Sequence, residues 1–258
     1  MDYSSIEFEE QYIKVYNSIT KDGVPQKNHA VIFLGGQPGV GKSNFYTQDN
    51  NLHGYIVIDG DKYRKYHPHY RDIVKYDMEN YASRTQSFVN QCIERLIEDL
   101  SNQGYNLIIE GTLREPDVPI NTCRTLVNKG YKADMYVMTV DASISWQSTI
   151  SRANLLIEQG EFPRLVPIDK YNQIVNALPD NLDRIIDCGY FSSIRIIDRD
   201  YNVLYPNSVG LSASAVLKKQ LNLHKWNASY ESEADKFLSS KINILEYQQE
   251  TIRKKRIR

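Results

Sequence analysis

Cysteine is scarce in this chain: Cys92, Cys123 and Cys188 are far apart, odd in number and without the paired spacing of a metal site. A disulfide framework and a zinc module are thereby excluded as organising devices, and reduced thiols serving as packing residues are expected. A dominant sign of charge is also lacking, since 31 Lys and Arg stand against 32 Asp and Glu. No global field points to nucleic acid or an acidic membrane, and neither is expected as a partner. The opening residues Met1-Asp2-Tyr3-Ser4-Ser5 contain no basic stretch leading into an apolar one, and no apolar run reaches membrane-spanning length. The reading is a cytoplasmic protein, in which Asn227-Ala228-Ser229 matches a glycosylation acceptor by chance. Repeats and low-complexity segments are absent.

Tyrosine is plentiful, 19 residues against 7 Phe. Tyrosines bury area while keeping a hydroxyl for a wet interface, which is compatible with a protein-binding face. The 258 residues suffice for one large core. The most informative stretch is the apolar run Val31-Ile32-Phe33-Leu34 followed by Gly35 and then Gly36-Gln37-Pro38-Gly39-Val40-Gly41-Lys42-Ser43. From Gly36 this is G-x-x-x-x-G-K-S, a phosphate-binding P-loop in which glycines let backbone N–H groups turn inward. Lys42 is expected on the β/γ-phosphates and the Ser43 hydroxyl on Mg²⁺.

Apolar residues at mostly helical intervals predict a helix over 6–19, ended by Lys21-Asp22-Gly23-Val24-Pro25 before the P-loop strand. The helix after the P-loop is expected to run to about Gln48. Tyr55-Ile56-Val57-Ile58 predicts a strand ending in Asp59-Gly60-Asp61, and carboxylates there sit where open α/β sheets gather ligands. The segment 71–103 is read as mostly helical, with Phe88, Cys92, Leu96 and Leu100 on one face. Strands are predicted over 106–109 and 135–140, with a helix over 119–129 between them. A helix over 143–158, an irregular stretch over 160–167 and a helix over 168–188 follow. The strand 194–198, a possible hairpin arm at 201–205 and two helices from Ser212 complete the reading. Repeated βα units imply an α/β fold of P-loop NTPase type, a mostly parallel sheet flanked by helices, with a helical C-terminal appendage. Residues 1–210 are expected to form the P-loop unit and 211–258 a helical extension of the same domain. The final Arg253-Lys254-Lys255-Arg256-Ile257-Arg258 reads as a solvated tail or a favourable helix C-terminus.

The P-loop leaves kinase, GTPase and ATPase open. A GTPase base reader is missing, for Asn128-Lys129-Gly130-Tyr131 lacks its aspartate. Ile108-Ile109-Glu110 can serve as the acidic strand end of an ATPase. A small-molecule kinase needs a base near the γ-phosphate, and Asp61 is placed for it, with Arg64 nearby to orient an anion. The plainer alternative makes Asp59 and Asp61 a turn and helix cap. Arg152, late in a helix, and Arg164, in an irregular stretch, have the layout of a lid bringing two guanidinium groups over the phosphates.

Three strings carry a resemblance: Gly35 to Ser43; Ile58-Asp59-Gly60-Asp61-Lys62-Tyr63-Arg64 with His67-Pro68-His69-Tyr70; and Tyr105 to Arg114, containing Glu110-Gly111-Thr112-Leu113-Arg114. Together they resemble the bacterial zeta toxins of epsilon/zeta-type toxin–antitoxin systems, over about residues 26–207, with Ile197-Asp198-Arg199-Asp200 near the end of the likeness. The resemblance implies a kinase that uses ATP and Mg²⁺ to phosphorylate the 3′-hydroxyl of UDP-N-acetylglucosamine and so inhibits cell-wall synthesis. It implies Asp61 as general base, Lys42 on the phosphates, and Arg152 and Arg164 on the transferring group. Glu94, Glu110, Thr112 and Arg114 would line the sugar-nucleotide pocket, and a small helical antitoxin would be the protein partner. Two departures stand out: Ala153-Asn154-Leu155 replace the aromatic and acidic residues usual after Arg152, and the loop to Arg164 is one residue short. A kinase acting on another small hydroxyl compound and a nucleotide-dependent binding switch are the competing readings.

Overall fold

The computed structural model describes residues 2–48, 50–77, 80–159, 166–207, 209–233 and 236. The chain opens with helix α1 (Ser5–Ile19), started by a capping box. The Ser4 hydroxyl accepts from the Glu7 N–H at 3.2 Å, and the Glu7 carboxylate accepts from the Ser4 N–H at 2.8 Å. Strand β1 (Ala30–Gly36) and helix α2 (Lys42–Gln48) flank the P-loop. Next come β2 (Ile56–Ile58), the short α3 (Gly60–Tyr63), α4 (Tyr70–Tyr76), α5 (Tyr81–Arg84) and α6 (Gln86–Asn102). Then follow β3 (Leu107–Glu110), α7 (Asp117–Asn128), β4 (Lys132–Met138), α8 (Ala142–Glu158) and α9 (Ile168–Asp187). Strands β5 (Ser193–Ile197) and β6 (Val203–Tyr205) and helix α10 (Ala213–Leu221) close the series.

The expected helix over 71–103 is interrupted, and polar side chains bond to one another and to the backbone there. Asn80 donates to the Asp77 carboxylate at 2.7 Å, Arg84 pairs with Asp77 at 2.9 Å, and the Thr85 hydroxyl donates to the Tyr81 carbonyl at 2.8 Å. The two Asp77 bonds join side chains across the junction of α4 and α5, and the Thr85 bond turns a hydroxyl back on the helix backbone.

The six strands lie in the order β2-β3-β1-β4-β5-β6, parallel except for the antiparallel β5–β6 pair. The P-loop strand is therefore interior, with Leu34 opposite Glu110 on one side and Gly36 opposite Met138 on the other. Strand alternation divides the core. Val31 and Phe33 join the large cluster with α1, α6, α7, α9 and α10, while Ile32 and Leu34 join a smaller one with Val40 and Phe45. Helix α10 and Trp226, in the helical stretch 223–233, enter the large cluster, where Trp226 donates to Asn172 Oδ1 at 2.9 Å. The basic run 253–258 lies outside the described residues. Cys92 and Cys123 are buried and Cys188 partly so, all free thiols. Among the described residues no helix is long and apolar enough to cross a membrane.

Candidate active site

The carboxyl ends of β1, β2 and β3 converge on one charged group of side chains. At β1, Gly36, Gly39 and Gly41 have φ of 134°, 77° and 101°, a left-handed backbone that favours glycine. A Cβ on Gly36 would lie 2.3 Å from the Met138 carbonyl oxygen, and one on Gly39 would lie 2.1 Å from that of Ser145. The loop is thus pressed against β4 and α8. Gln37 is fully buried and donates to the Val140 carbonyl at 2.7 Å, Pro38 is partly buried, and Val40 is buried in the smaller core. Ser43 is exposed in the first turn of α2.

Lys42 is buried and donates to the Gly36 and Gln37 carbonyls at 3.0 and 3.2 Å. Burial draws its pKa below the ordinary lysine value; the Glu110 carboxylate opposes this, Arg152 adds to it, and Asp61 and Asp59 oppose it. Glu110, at the end of β3, has its pKa raised, chiefly by burial. Lys42 and Lys62 counter that rise, while Asp59 and Asp61 reinforce it. Lys42, Asp59, Asp61, Lys62, Glu110 and Arg152 therefore share one electrostatic neighbourhood. Arg152 presents its Nε there in an unusual state: buried, with no hydrogen-bond partner. A buried guanidinium N–H left unsatisfied is costly, and an anion would relieve it.

At the end of β2, Asp59 caps α3 by accepting from the Asp61 N–H at 3.1 Å. Asp61 is half exposed and pairs with Arg64 Nε at 3.0 Å. Arg64 is itself fixed, donating to the Ala82 carbonyl at 2.8 Å, the Thr85 hydroxyl at 2.9 Å and Gln86 Oε1 at 2.9 Å. The anion that Arg64 orients here is Asp61. A cavity of about 970 Å³ runs along the outer side of β2 and reaches Asp61, lined by Tyr55, Tyr66, Tyr70 and Tyr81 and, from α8, Leu156.

The remaining sequence candidates are more dispersed. Arg114 is half exposed and paired with the adjacent Glu115 at 2.8 Å, Thr112 is partly buried, and Glu94 is exposed on α6, outside the charges acting on Lys42 and Glu110. Glu94, Glu110, Thr112 and Arg114 do not line the β2 cavity. Arg164 lies outside the described residues. Sequence reasoning passed over Tyr46 and Lys62: the Tyr46 hydroxyl approaches Glu110 at 3.5 Å and accepts from Lys62 at 3.2 Å. Tyr46 follows Lys42 by four residues on α2, so helical spacing alone places both on one face.

A zeta toxin family model matches residues 14–210, which contain the whole of this site. The chain belongs to the zeta toxin family. Among its relatives in the family, the toxin PezT of Streptococcus pneumoniae is 32% identical over 88% of this chain and 90% of its own length. A toxin zeta of Streptococcus pyogenes is 36% identical over 73% of this chain and 68% of its own. A solved structure from the PezAT chromosomal toxin–antitoxin system of S. pneumoniae superposes with a TM-score of 0.74 at 32% identity, covering 85% of this chain and 88% of that one. The P-loop fold of this zeta toxin family member is thus matched over most of its length.

Among the described residues no group of three or more His, Cys, Asp or Glu is preformed for a metal. Mg²⁺ keeps several waters and is held by a hydroxyl or carboxylate together with nucleotide phosphates, so a site for it needs no such cluster. The exposed Ser43 hydroxyl and the nearby carboxylates Asp59 and Glu110 are donors of that kind.

Proposed function

We propose that the chain is the toxin of a toxin–antitoxin pair and an ATP-dependent kinase that phosphorylates the 3′-hydroxyl of UDP-N-acetylglucosamine. The observation that carries the kinase reading is the pairing of Asp61, oriented by a fixed Arg64, with a P-loop lysine and the unpartnered Nε of Arg152. Family membership supports the toxin role and the choice of acceptor.

In this reading the loop Gly36 to Ser43 cradles the ATP phosphates with its backbone N–H groups, Pro38 contributing none, and Lys42 leaves its own loop carbonyls to contact the β/γ-phosphates. Mg²⁺, which Ser43 with Asp59 would hold, would supply charge neutralisation at those phosphates. Asp61 accepts the proton of the acceptor hydroxyl as that oxygen attacks the γ-phosphorus and ADP leaves in line. Arg152, together with Arg164, stabilises the charge on the transferring group. Glu94, Glu110, Thr112 and Arg114 are assigned to the sugar-nucleotide pocket, and an antitoxin of small helical type is the expected partner. We place the extension from residue 211 in the same domain and the protein in the cytoplasm.

The test is transfer from γ-labelled ATP to UDP-N-acetylglucosamine, with the product's position read by NMR. Label on the sugar 3′-oxygen supports the proposal. A protein that binds ATP but labels no sugar nucleotide refutes the acceptor; a labelled product from another hydroxyl compound would replace it.

A further inference from the structure

The turn after β5 is built around a side chain that the transfer chemistry leaves unassigned. Asp198 Oδ1 accepts from the backbone N–H groups of Asp200 and Asn202, both at 2.9 Å, and its Oδ2 accepts from Asn202 Nδ2 at 2.9 Å. Tyr201 has a φ of 65° and sets its ring against Phe45 of α2 in the smaller core. A non-glycine residue in that backbone region persists only where its surroundings over-determine it. Both ends of the turn are therefore held, and between them Arg199 is aimed back at the P-loop.

Its Nε donates to the Val40 carbonyl at 3.1 Å, and its Nη2 donates to the Gly39 carbonyl at 2.7 Å and to the Ser148 hydroxyl at 2.9 Å. The Val40 N–H is turned to the Gln37 carbonyl at 3.4 Å, but a trans peptide is planar, so fixing the Val40 carbonyl fixes the Gly41 N–H on the opposite side of the chain. In a P-loop that is the side on which phosphates bind. A charged donor behind a peptide also polarises it and strengthens its N–H as a donor. Gly41 has particular need of such a hold: unlike Gly39, its Cα has nothing within 4 Å of where a Cβ would stand. Ser148 connects the same guanidinium to α8, and Arg152 lies four residues on, on the same helical face.

We infer that Arg199 is a positioning residue for the phosphate-binding loop: its fork sets the Gly39–Gly41 segment to receive the β- and γ-phosphates and ties it to the face of α8 that carries Arg152. The inference rests on the ATP reading. It touches neither the acceptor nor the general base, so it predicts a defect confined to nucleotide phosphates.

The experiment uses the full chain with Arg199→Ala and Arg199→Lys, measuring equilibrium binding of ATP, ADP and adenosine, the acceptor KM, the melting temperature and rescue by millimolar guanidinium. Arg199→Ala is expected to weaken ATP and ADP binding roughly 10- to 100-fold, the range of hydrogen bonds from a charged donor, and to leave adenosine binding and the acceptor KM unchanged. Added guanidinium restores part of the ATP affinity. Arg199→Lys, which keeps the charge without the planar guanidinium geometry, falls in between. Wild-type ATP and ADP affinity in a folded Arg199→Ala protein overturns the inference. So does a loss shared equally by the acceptor, or one unrelieved by guanidinium and equal in Arg199→Lys, either of which marks a merely structural residue. Should Arg199→Ala not fold, wild-type affinities in Arg199→Lys overturn it alone. If the wild-type protein binds no ATP, it is the kinase reading that fails.

Discussion

The two halves of the site differ in how far they are built before any ligand arrives. On the nucleotide side, glycines with positive φ, the buried Gln37 and Lys42, and bonds from the β4–α8 connection and Arg199 hold the P-loop in place. On the acceptor side, Asp61 and Arg114 are half exposed and Glu94 is exposed. Arg64, anchored at three points besides Asp61, gives that side some order, as do the partly buried Glu110 and Thr112. On the proposed reading, the phosphate-binding loop is ordered before ATP arrives and only Lys42 must leave its loop carbonyls, whereas the acceptor must complete its own half. Acceptor selectivity on that reading then depends on residues that move or pair anew when the acceptor binds.

Perturbing each half separately sharpens the contrast. Lys42→Met should have the largest effect, lowering transfer by roughly 10²–10³-fold through loss of charge at the developing transition state, with the melting temperature maintained or raised because a buried ammonium is removed. Steady-state rates and a thermal melt on one preparation check both. Arg64→Leu should lower kcat about tenfold, an intermediate loss for a misoriented base, and leave ATP affinity intact. Equal losses of ATP binding would show that the halves are not independent.

The scaffold beside the acceptor half should also be the more sensitive to acid. His67, between α3 and α4, is buried against Tyr3 and Phe88, and burial, reinforced by the neighbouring His69, lowers its pKa from 6.5 to about 4. The unfolded chain takes up the proton first, so the stability contributed by neutral His67 is complete above pH 6.5 and lost as pH falls toward 4. Denaturant titrations should show a loss on the order of 1–3 kcal/mol across that window, reduced in His67→Phe. The smallest effect is expected of Arg114→Ala. Its pair with Glu115 is exposed and adds little to stability, so only the acceptor KM should rise, by a few-fold for a solvent-exposed contact.

Much of this arrangement is legible in the sequence, and where it is not the reason is physical. The P-loop, Asp61 and the strand before each are local patterns, for which spacing and strand-end position suffice. The order of the strands is not local: the placement of β3 between β1 and β2, which carries Glu110 to the lysine, depends on crossover packing. The break after Asp77 escaped because no glycine or proline marks it; the Asp77 carboxylate instead takes bonds from the Asn80 and Arg84 side chains. Arg199 was visible only as part of a resemblance, since its partners lie 159 and 160 residues earlier in the chain. Tyr46 and Lys62 needed only the helical spacing from Lys42 and the adjacency to Asp61.

The central claim is that a preordered phosphate-binding loop serves a base held by Arg64, and single-turnover transfer by Asp61→Asn tests it most directly. ATP affinity is measured on the same samples. Wild-type ATP affinity with transfer slowed by roughly 10²–10⁴-fold, the contribution of general base catalysis, is the predicted result. Transfer at the wild-type rate in Asp61→Asn, or ATP affinity lost along with it, would contradict the account.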